Sequence, residues 1–227
     1  MTISEELKYI FISNPKTGTT AIQKYLKKLD ANSLQNRMPE KYPQHLVSDI
    51  DEHITANELA KRMGEVYNEY KVFTFIRHPY DKAVSGYFFY QNGKVIFNST
   101  DKRYYFALAN IILARILPFT VWSLIKPLKT NRGYLVDNNG RCLVNYIGKT
   151  ENLKEDFFTI ANMLKIDVTK EYSVEKINTS KRDTDFLKYF KFKWHKWIFD
   201  RKYKNDIDLY NKFAKEDLLY DWKGDIL

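Results

Sequence analysis

Residues 9–29, YIFISNPKTGTTAIQKYLKKL, constrain the fold more than any other stretch of the chain. Tyr9 to Ser13 is a short apolar run bounded by turn residues, the pattern of a buried parallel strand. Thr19 to Leu29 sets Ile22, Tyr25, Leu26 and Leu29 on one stripe, which predicts a helix. Pro15-Lys16-Thr17-Gly18-Thr19-Thr20 joins the two. A helix N-terminus presents N–H groups without intrahelical partners and the positive end of a dipole. A Gly-containing turn lets the backbone approach an anion closely. Lys16 adds a full charge, and Thr19 and Thr20 add hydroxyl donors. Pro15, Lys16, Thr17, Gly18, Thr19 and Thr20 are therefore candidate ligands of a diphosphate-like group, set against the plainer reading of an ordinary strand-to-helix turn.

The spacing also restricts the chemistry. The nucleotide-hydrolase loop, G-x-x-x-x-G-K-[ST], has its Lys directly after the last Gly. Here Lys16 precedes Gly18 by two, so the Ser or Thr that would ligate magnesium is missing from its place. Kinase or ATPase chemistry is disfavoured, and no metal is expected.

A second stretch, KVFTFIRHPYDKAVSGY, runs from Lys71 to Tyr87. Lys71 to Ile76 reads as a second buried strand, with Arg77 at its end. Tyr80 to Tyr90 reads as a helix started by Pro79 and Asp81. Ser85 lies eight residues beyond Arg77, and an Arg fork and a Ser hydroxyl can converge on one phosphate. Elsewhere, Ala56 to Tyr70 reads as a helix, Gly140 to Ile147 as a strand after the Asp137–Gly140 turn, and Glu151 to Leu164 as an amphipathic helix. From Asp183 on, the pattern is mostly helical. Strand-loop-helix units predict an α/β fold: a parallel β-sheet of P-loop type flanked by helices, with a largely helical C-terminal part. No repeat or Gly/Ser linker interrupts the chain, so one domain is expected over 1–227.

The charge sets a broad preference for partners. Lys and Arg number 37 against 28 Asp and Glu, a net charge of +9, which favours anionic partners without choosing among them. Cys142 is the only cysteine, so no intrachain disulfide can form, in keeping with a reducing compartment. Met1 to Lys8 holds no apolar signal region, and a cytoplasmic location is expected. Phe106 to Ile125 is about as long as a membrane span, but Arg115 and Pro118 sit inside it. A buried or groove-lining helix broken near Pro118 is expected, with a membrane-associated segment as the alternative. Phe186 to Lys204 interleaves aromatics with Lys and Arg. A core-packing helix with a solvated basic face is expected; a glycan cradle, a membrane-surface helix or a nucleic-acid patch are the alternatives. No RRM, helix-turn-helix or zinc-finger pattern supports specific nucleic-acid binding.

The PKTGTT loop and the run Phe75, Arg77, Pro79, Tyr80, Asp81, Ser85, Tyr87 together resemble the sulfotransferases, specifically the carbohydrate sulfotransferase group called family 2. The run is similar to that group's F-x-R-N-P-[YFW]-D-R-x-x-S-x-Y, departing at His78 and Lys82. His53-Ile-Thr-Ala, Tyr146 to Leu153 with Asp156-Phe157, and Asn178 to Arg182 resemble three further segments, in order. The resemblance implies that the loop holds the 5′-phosphosulfate of 3′-phosphoadenosine 5′-phosphosulfate (PAPS), with Arg77 and Ser85 on the 3′-phosphate. Lys181 and Arg182 would clamp the 3′-phosphate or close over the nucleotide. A hydroxyl of a glycan or glycolipid is the implied acceptor, with its specificity expected in Phe88 to Arg132.

Such a transfer needs a cation at the bridging oxygen of the leaving phosphate and a base for the acceptor proton. Lys16 is the candidate cation. Among the four histidines His53 is the candidate base; His45 is the runner-up, and the neighbouring Glu52 is a carboxylate alternative. His78 is expected to be structural and His195 to lie at the surface. Competing functions are a P-loop kinase or nucleotide-binding protein, and a non-catalytic basic module for membrane or nucleic acid.

Overall fold

The computed structural model describes residues 1–37, 51–93, 102–168 and 183–215. Five strands lie at Thr2–Ser4 (β1), Tyr9–Ile12 (β2), Leu34–Gln35 (β3), Lys71–Ile76 (β4) and Tyr146–Lys149 (β5). The α-helices described are Thr19–Leu29 (α1), Ala56–Met63 (α2), Pro79–Gln91 (α3), Lys102–Ile116 (α4), Phe119–Ile125 (α5), Arg132–Leu135 (α6), Leu153–Met163 (α7), Lys193–Lys202 (α8) and Lys204–Lys215 (α9). They fall into two compact units. Unit 1 is residues 1–77, 130–177 and 208–227, and unit 2 is residues 78–129 and 178–207.

Unit 1 is built on one sheet of order β3-β1-β2-β4-β5. β2, β4 and β5 are parallel, with Tyr9 opposite Lys71 and Phe73 opposite Tyr146. This is the predicted parallel sheet. The sheet is extended on one side by two antiparallel strands, β1 on β2 and β3 on β1. Thr2–Ser4 carries too little apolar character to read as a strand, yet Thr2 and Ser4 are buried. The Ser4 hydroxyl accepts from Leu7 N at 3.1 Å and closes the turn into β2.

The central strands are mostly apolar because both sheet faces are covered. Ile10, Ile12, Val72 and Ile76 point into a cluster with Leu59 and Met63 of α2, Leu135 of α6 and Leu209 and Phe213 of α9. Tyr9, Phe11, Phe73 and Phe75 point to the other face, against Ile22, Tyr25 and Leu26 of α1 and Phe157 and Ile160 of α7. The stripe predicted for α1 is the one it buries. On β5, Gly148 leaves room for a ring, since a Cβ there would stand 2.4 Å from Phe75 Cε1.

Two elements differ from the sequence pattern. The helix predicted to reach Tyr70 stops at Met63, where Gly64 takes φ +59, and continues as a 3₁₀ turn, Gly64–Glu69. Of the strand predicted over Gly140 to Ile147, only the last two residues join β5. Val136 and Cys142 form an isolated bridge, and Asp137 Oδ1 accepts from Asn139 N and Arg141 N. Asn145 then leads into β5 by pairing twice with Val72: its side chain accepts from Val72 N and its own N–H donates to Val72 O, both at 2.7 Å.

Unit 2 centres on an aromatic cluster that includes Tyr80, Tyr87, Phe119, Trp122, Phe190, Phe199 and Tyr203. The break predicted near Pro118 is present: α4 ends at Ile116 and α5 starts at Phe119, with Pro118 as its N-cap. His78 is structural, as expected. Its Nδ1 accepts from Tyr80 N at 3.3 Å at the start of α3, and its ring stacks on Phe186.

The placement of His195 corrects the sequence reading. Its pattern puts it at the surface, but it is fully buried, stacked on Phe190 at 4.8 Å, with Nε2 2.8 Å from Ser123 Oγ. Burial lowers its pKa. His195, Phe199 and Tyr203 recur every four residues and form the inward stripe of α8, which the surrounding lysines obscure in the sequence.

Candidate functional site

The loop between β2 and α1 has the backbone of an anion cradle. Lys16 and Gly18 both take positive φ, +65 and +77. Lys16 therefore holds the left-handed conformation that L-residues avoid, at a cost of about 1 kcal/mol, while Gly18 takes it freely as N-cap of α1. No side chain caps α1, and its first turn holds no acidic residue. By contrast, the Thr55 hydroxyl accepts from Glu58 N at the start of α2, and Glu58 sits in that helix's first turn. The positive end of α1 is left open to an external anion. A side chain at Gly18 would also meet Leu153 Cδ2 at 3.1 Å, so the residue is small for two reasons.

Hydrogen bonds hold this loop against the ends of β2 and β4. The Thr17 hydroxyl is buried and donates to the Asn14 carbonyl at 2.8 Å, so it shapes the loop rather than facing outward. Thr19 is buried and Thr20 exposed. Arg77, half-buried just past β4, donates from NH1 to the Lys16 carbonyl at 2.9 Å. Its main chain is held by the buried Asn131: Arg77 N donates to Oδ1 at 3.3 Å, and Nδ2 donates to Arg77 O at 2.9 Å. Asn14 Nδ2 donates to Asn131 Oδ1 at 3.1 Å and to Phe75 O at 2.9 Å. Asn14 and Asn131 thus tie the two strand ends together.

His53 reaches the same strand end. Its Nδ1 lies 2.8 Å from the carbonyl of Ser13. A carbonyl only accepts, so Nδ1 carries the proton, and in the neutral imidazole Nε2 keeps its lone pair. Asp51 Oδ1 accepts from His53 N at 2.8 Å, and the Met1 nitrogen donates to the Glu52 carbonyl at 2.8 Å. The chain leading into His53 is therefore held by a local turn and by the Met1 nitrogen.

Of the residues named from sequence, the structure brings Pro15 to Thr20, His53 and Arg77 together at the carboxyl ends of β2 and β4. That is where parallel α/β sheets bind ligands. Ser85 lies half-buried on α3 in unit 2. Lys181, Arg182 and the alternative base His45 lie outside the described residues. Sequence reasoning missed Asn14 and Asn131. They are 117 positions apart, and no local spacing links them. The only cue at Asn14 is a polar residue closing an apolar strand.

A parallel sheet whose strand ends carry an uncapped helix N-terminus, a lysine and an oriented imidazole has the layout of a transferase that handles an anionic group donor. The family model described as the sulfotransferase family matches residues 1–214, and the chain belongs to that family. No curated protein matches it.

Proposed function

We propose that this protein moves a sulfo group from PAPS to a hydroxyl of a carbohydrate or glycolipid acceptor. One observation carries the reading. The Lys16–Gly18 turn in front of the uncapped α1 is held by Arg77, and His53 is fastened to the same strand end. Family membership supports the transfer; the donor and acceptor are inferred from the site.

PAPS, when bound, supplies the sulfo group on a 5′-phosphate leaving group. The N–H groups of Gly18, Thr19 and Thr20 would hold that phosphate, with the α1 dipole behind them. Lys16 would neutralise the charge that grows on the bridging oxygen as the S–O bond breaks. His53 Nε2 would accept the acceptor hydroxyl's proton, and its Nδ1–H bond to Ser13 keeps the ring in the required tautomer. Arg77 would pair with the 3′-phosphate; Ser85, Lys181 and Arg182 are the further residues that the family resemblance assigns to that group.

Calorimetry tests the donor assignment. 3′-Phosphoadenosine 5′-phosphate should bind at least about tenfold tighter than ADP, roughly 1.4 kcal/mol, and without magnesium. Equal affinities, or binding that needs magnesium, would overturn it. Labelled-sulfate transfer to a panel of glycans, glycolipids and phenols then identifies the acceptor; transfer only to phenols would reject the carbohydrate assignment.

A further inference from the structure

Helix α8 has two apolar faces, and only one is covered. His195, Phe199 and Tyr203 pack into the aromatic core of unit 2. Trp194, Trp197, Ile198 and Arg201 recur at i, i+3, i+4 and i+7, which puts them on one stripe on the other side of the helix. The side chains of that stripe lie open: Trp194 is 52% exposed, Trp197 60% and Ile198 36%. Phe192, just before the helix and 52% exposed, stacks on Trp194 at 6.0 Å and 20°. The Arg201 guanidinium lies over the Trp197 ring at 5.5 Å. Large exposed aromatics grouped in this way mark an interaction surface rather than ordinary solvent-facing surface.

Basic residues predominate around the stripe, although Lys188 is paired with Asp183 at 2.7 Å. From Phe186 to Phe199 the sequence contains Lys188, Lys191, Lys193 and Lys196 and no acidic residue. The one carboxylate of α8, Asp200, is engaged by Lys196 at 2.7 Å and by the Tyr80 hydroxyl. Helix α4 in the same unit repeats the theme, with Tyr105, Ile112 and Ile116 exposed along one side. Among the described residues no helix is long and apolar enough to cross a membrane.

We infer that unit 2 docks on an anionic lipid surface through the Trp194–Trp197–Ile198 stripe of α8. The indoles seat at the headgroup level, where an apolar ring with a polar N–H is favoured. Lys193 and Arg201 meet the lipid phosphates, each cation near an anionic surface adding to the attraction. Tryptophan and basic residues on one outward helix face are the chemistry of an interfacial helix. A second copy of the chain fits less well. A two-fold contact would set the same cations against each other with no carboxylate on the stripe to offset them. A glycan fits less well too, because the stripe offers Trp and Ile and no Asn, Asp or Glu to bond sugar hydroxyls. The inference is independent of the donor chemistry proposed above.

Vesicle flotation of the full chain, with tryptophan emission recorded in parallel, tests it. The protein should float with phosphatidylcholine vesicles that contain phosphatidylserine, and its emission should shift to the blue. It should not float with phosphatidylcholine alone, and added salt should release it. The double variant Trp194→Glu/Trp197→Glu should lose vesicle affinity by roughly tenfold or more, since each indole gives up its apolar burial. Its melting temperature should stay unchanged, because both rings are exposed. Lys193→Glu/Arg201→Glu keeps the rings and should abolish the preference for phosphatidylserine. Vesicle binding untouched by either double variant would overturn the assignment, as would binding lost only in Ile112→Glu/Ile116→Glu. A dimer seen by sedimentation and dispersed by the tryptophan variant would assign the stripe to a second copy. Capture by heparin beads, without vesicle binding and lost in the same variant, would assign it to a glycan.

Discussion

Asn131→Ala is the substitution that most directly tests how the site is held. The Asn131 side chain accepts from Asn14 Nδ2 at 3.1 Å and from Arg77 N at 3.3 Å, and it donates to Arg77 O at 2.9 Å. Asn131 and Asn14 are both fully buried. Removing the amide leaves the Arg77 N–H and C=O without this partner and takes an acceptor from Asn14. A buried polar group stripped of its partner costs about 1–3 kcal/mol. Two of the three bonds are long and Asn14 keeps Phe75 O, so the sum is set near the low end, about 3 kcal/mol. For a chain of this length each kcal/mol lowers Tm by about 2–4 °C, giving a fall of roughly 6–12 °C. Differential scanning calorimetry measures it directly. The same variant should weaken 3′-phosphoadenosine 5′-phosphate binding, because Arg77 loses the two main-chain bonds that aim its side chain. Asn131→Asp should restore only part of the loss: a carboxylate can accept from Asn14 and Arg77 but cannot donate to the Arg77 carbonyl, and it would bury a charge. An Asn131→Ala protein with unchanged Tm and unchanged nucleotide affinity would show that the asparagine pair does not hold the strand ends.

Three further outcomes can be checked separately. Lys16→Ala should lower kcat far more than donor affinity, because leaving-group charge grows only in the transition state, whereas Arg77→Ala should mainly weaken donor binding; steady-state kinetics and calorimetry on both variants decide the roles. His53→Ala should cost roughly 10²-fold or more in kcat with donor affinity nearly unchanged, and wild-type activity should fall on acidification as Nε2 takes up a proton; a fully active His53→Ala enzyme beside an inactive His45→Ala one would move the base to His45, and full activity in both would turn attention to Glu52. Burial pushes the Cys142 thiol from its ordinary value of 9.0 up to about 11, so at neutral pH its thiolate fraction is about 100-fold smaller than that of an open thiol; labelling by a disulfide reagent should be slow in the folded protein, rise with pH and become fast in denaturant, and fast labelling of the folded protein would refute the burial.

What the sequence determined by itself was local. The Tyr9–Ser13 run, the loop from Pro15 to Thr20 and the Ile22-Tyr25-Leu26 stripe specify strand, turn and helix within about twenty residues, because an apolar period and a Gly turn are properties of neighbouring residues. The Lys71–Ile76 strand with Arg77 at its end and the break at Pro118 were legible for the same reason. Whatever depends on distant partners was not. β1 is too short and polar to announce itself, and it becomes a strand because β2 offers it an edge. The helix after Thr55 is cut at Gly64, where a left-handed residue costs least. His195 reads as a surface residue among lysines until the four-residue stripe of α8 turns it into an aromatic core. The pairing of Asn14 with Asn131, and of His53 with the Ser13 carbonyl, exists only once the sheet sets β2 beside β4. Hydrogen bonds between residues so far apart follow from the packing of strand ends, which no local period encodes.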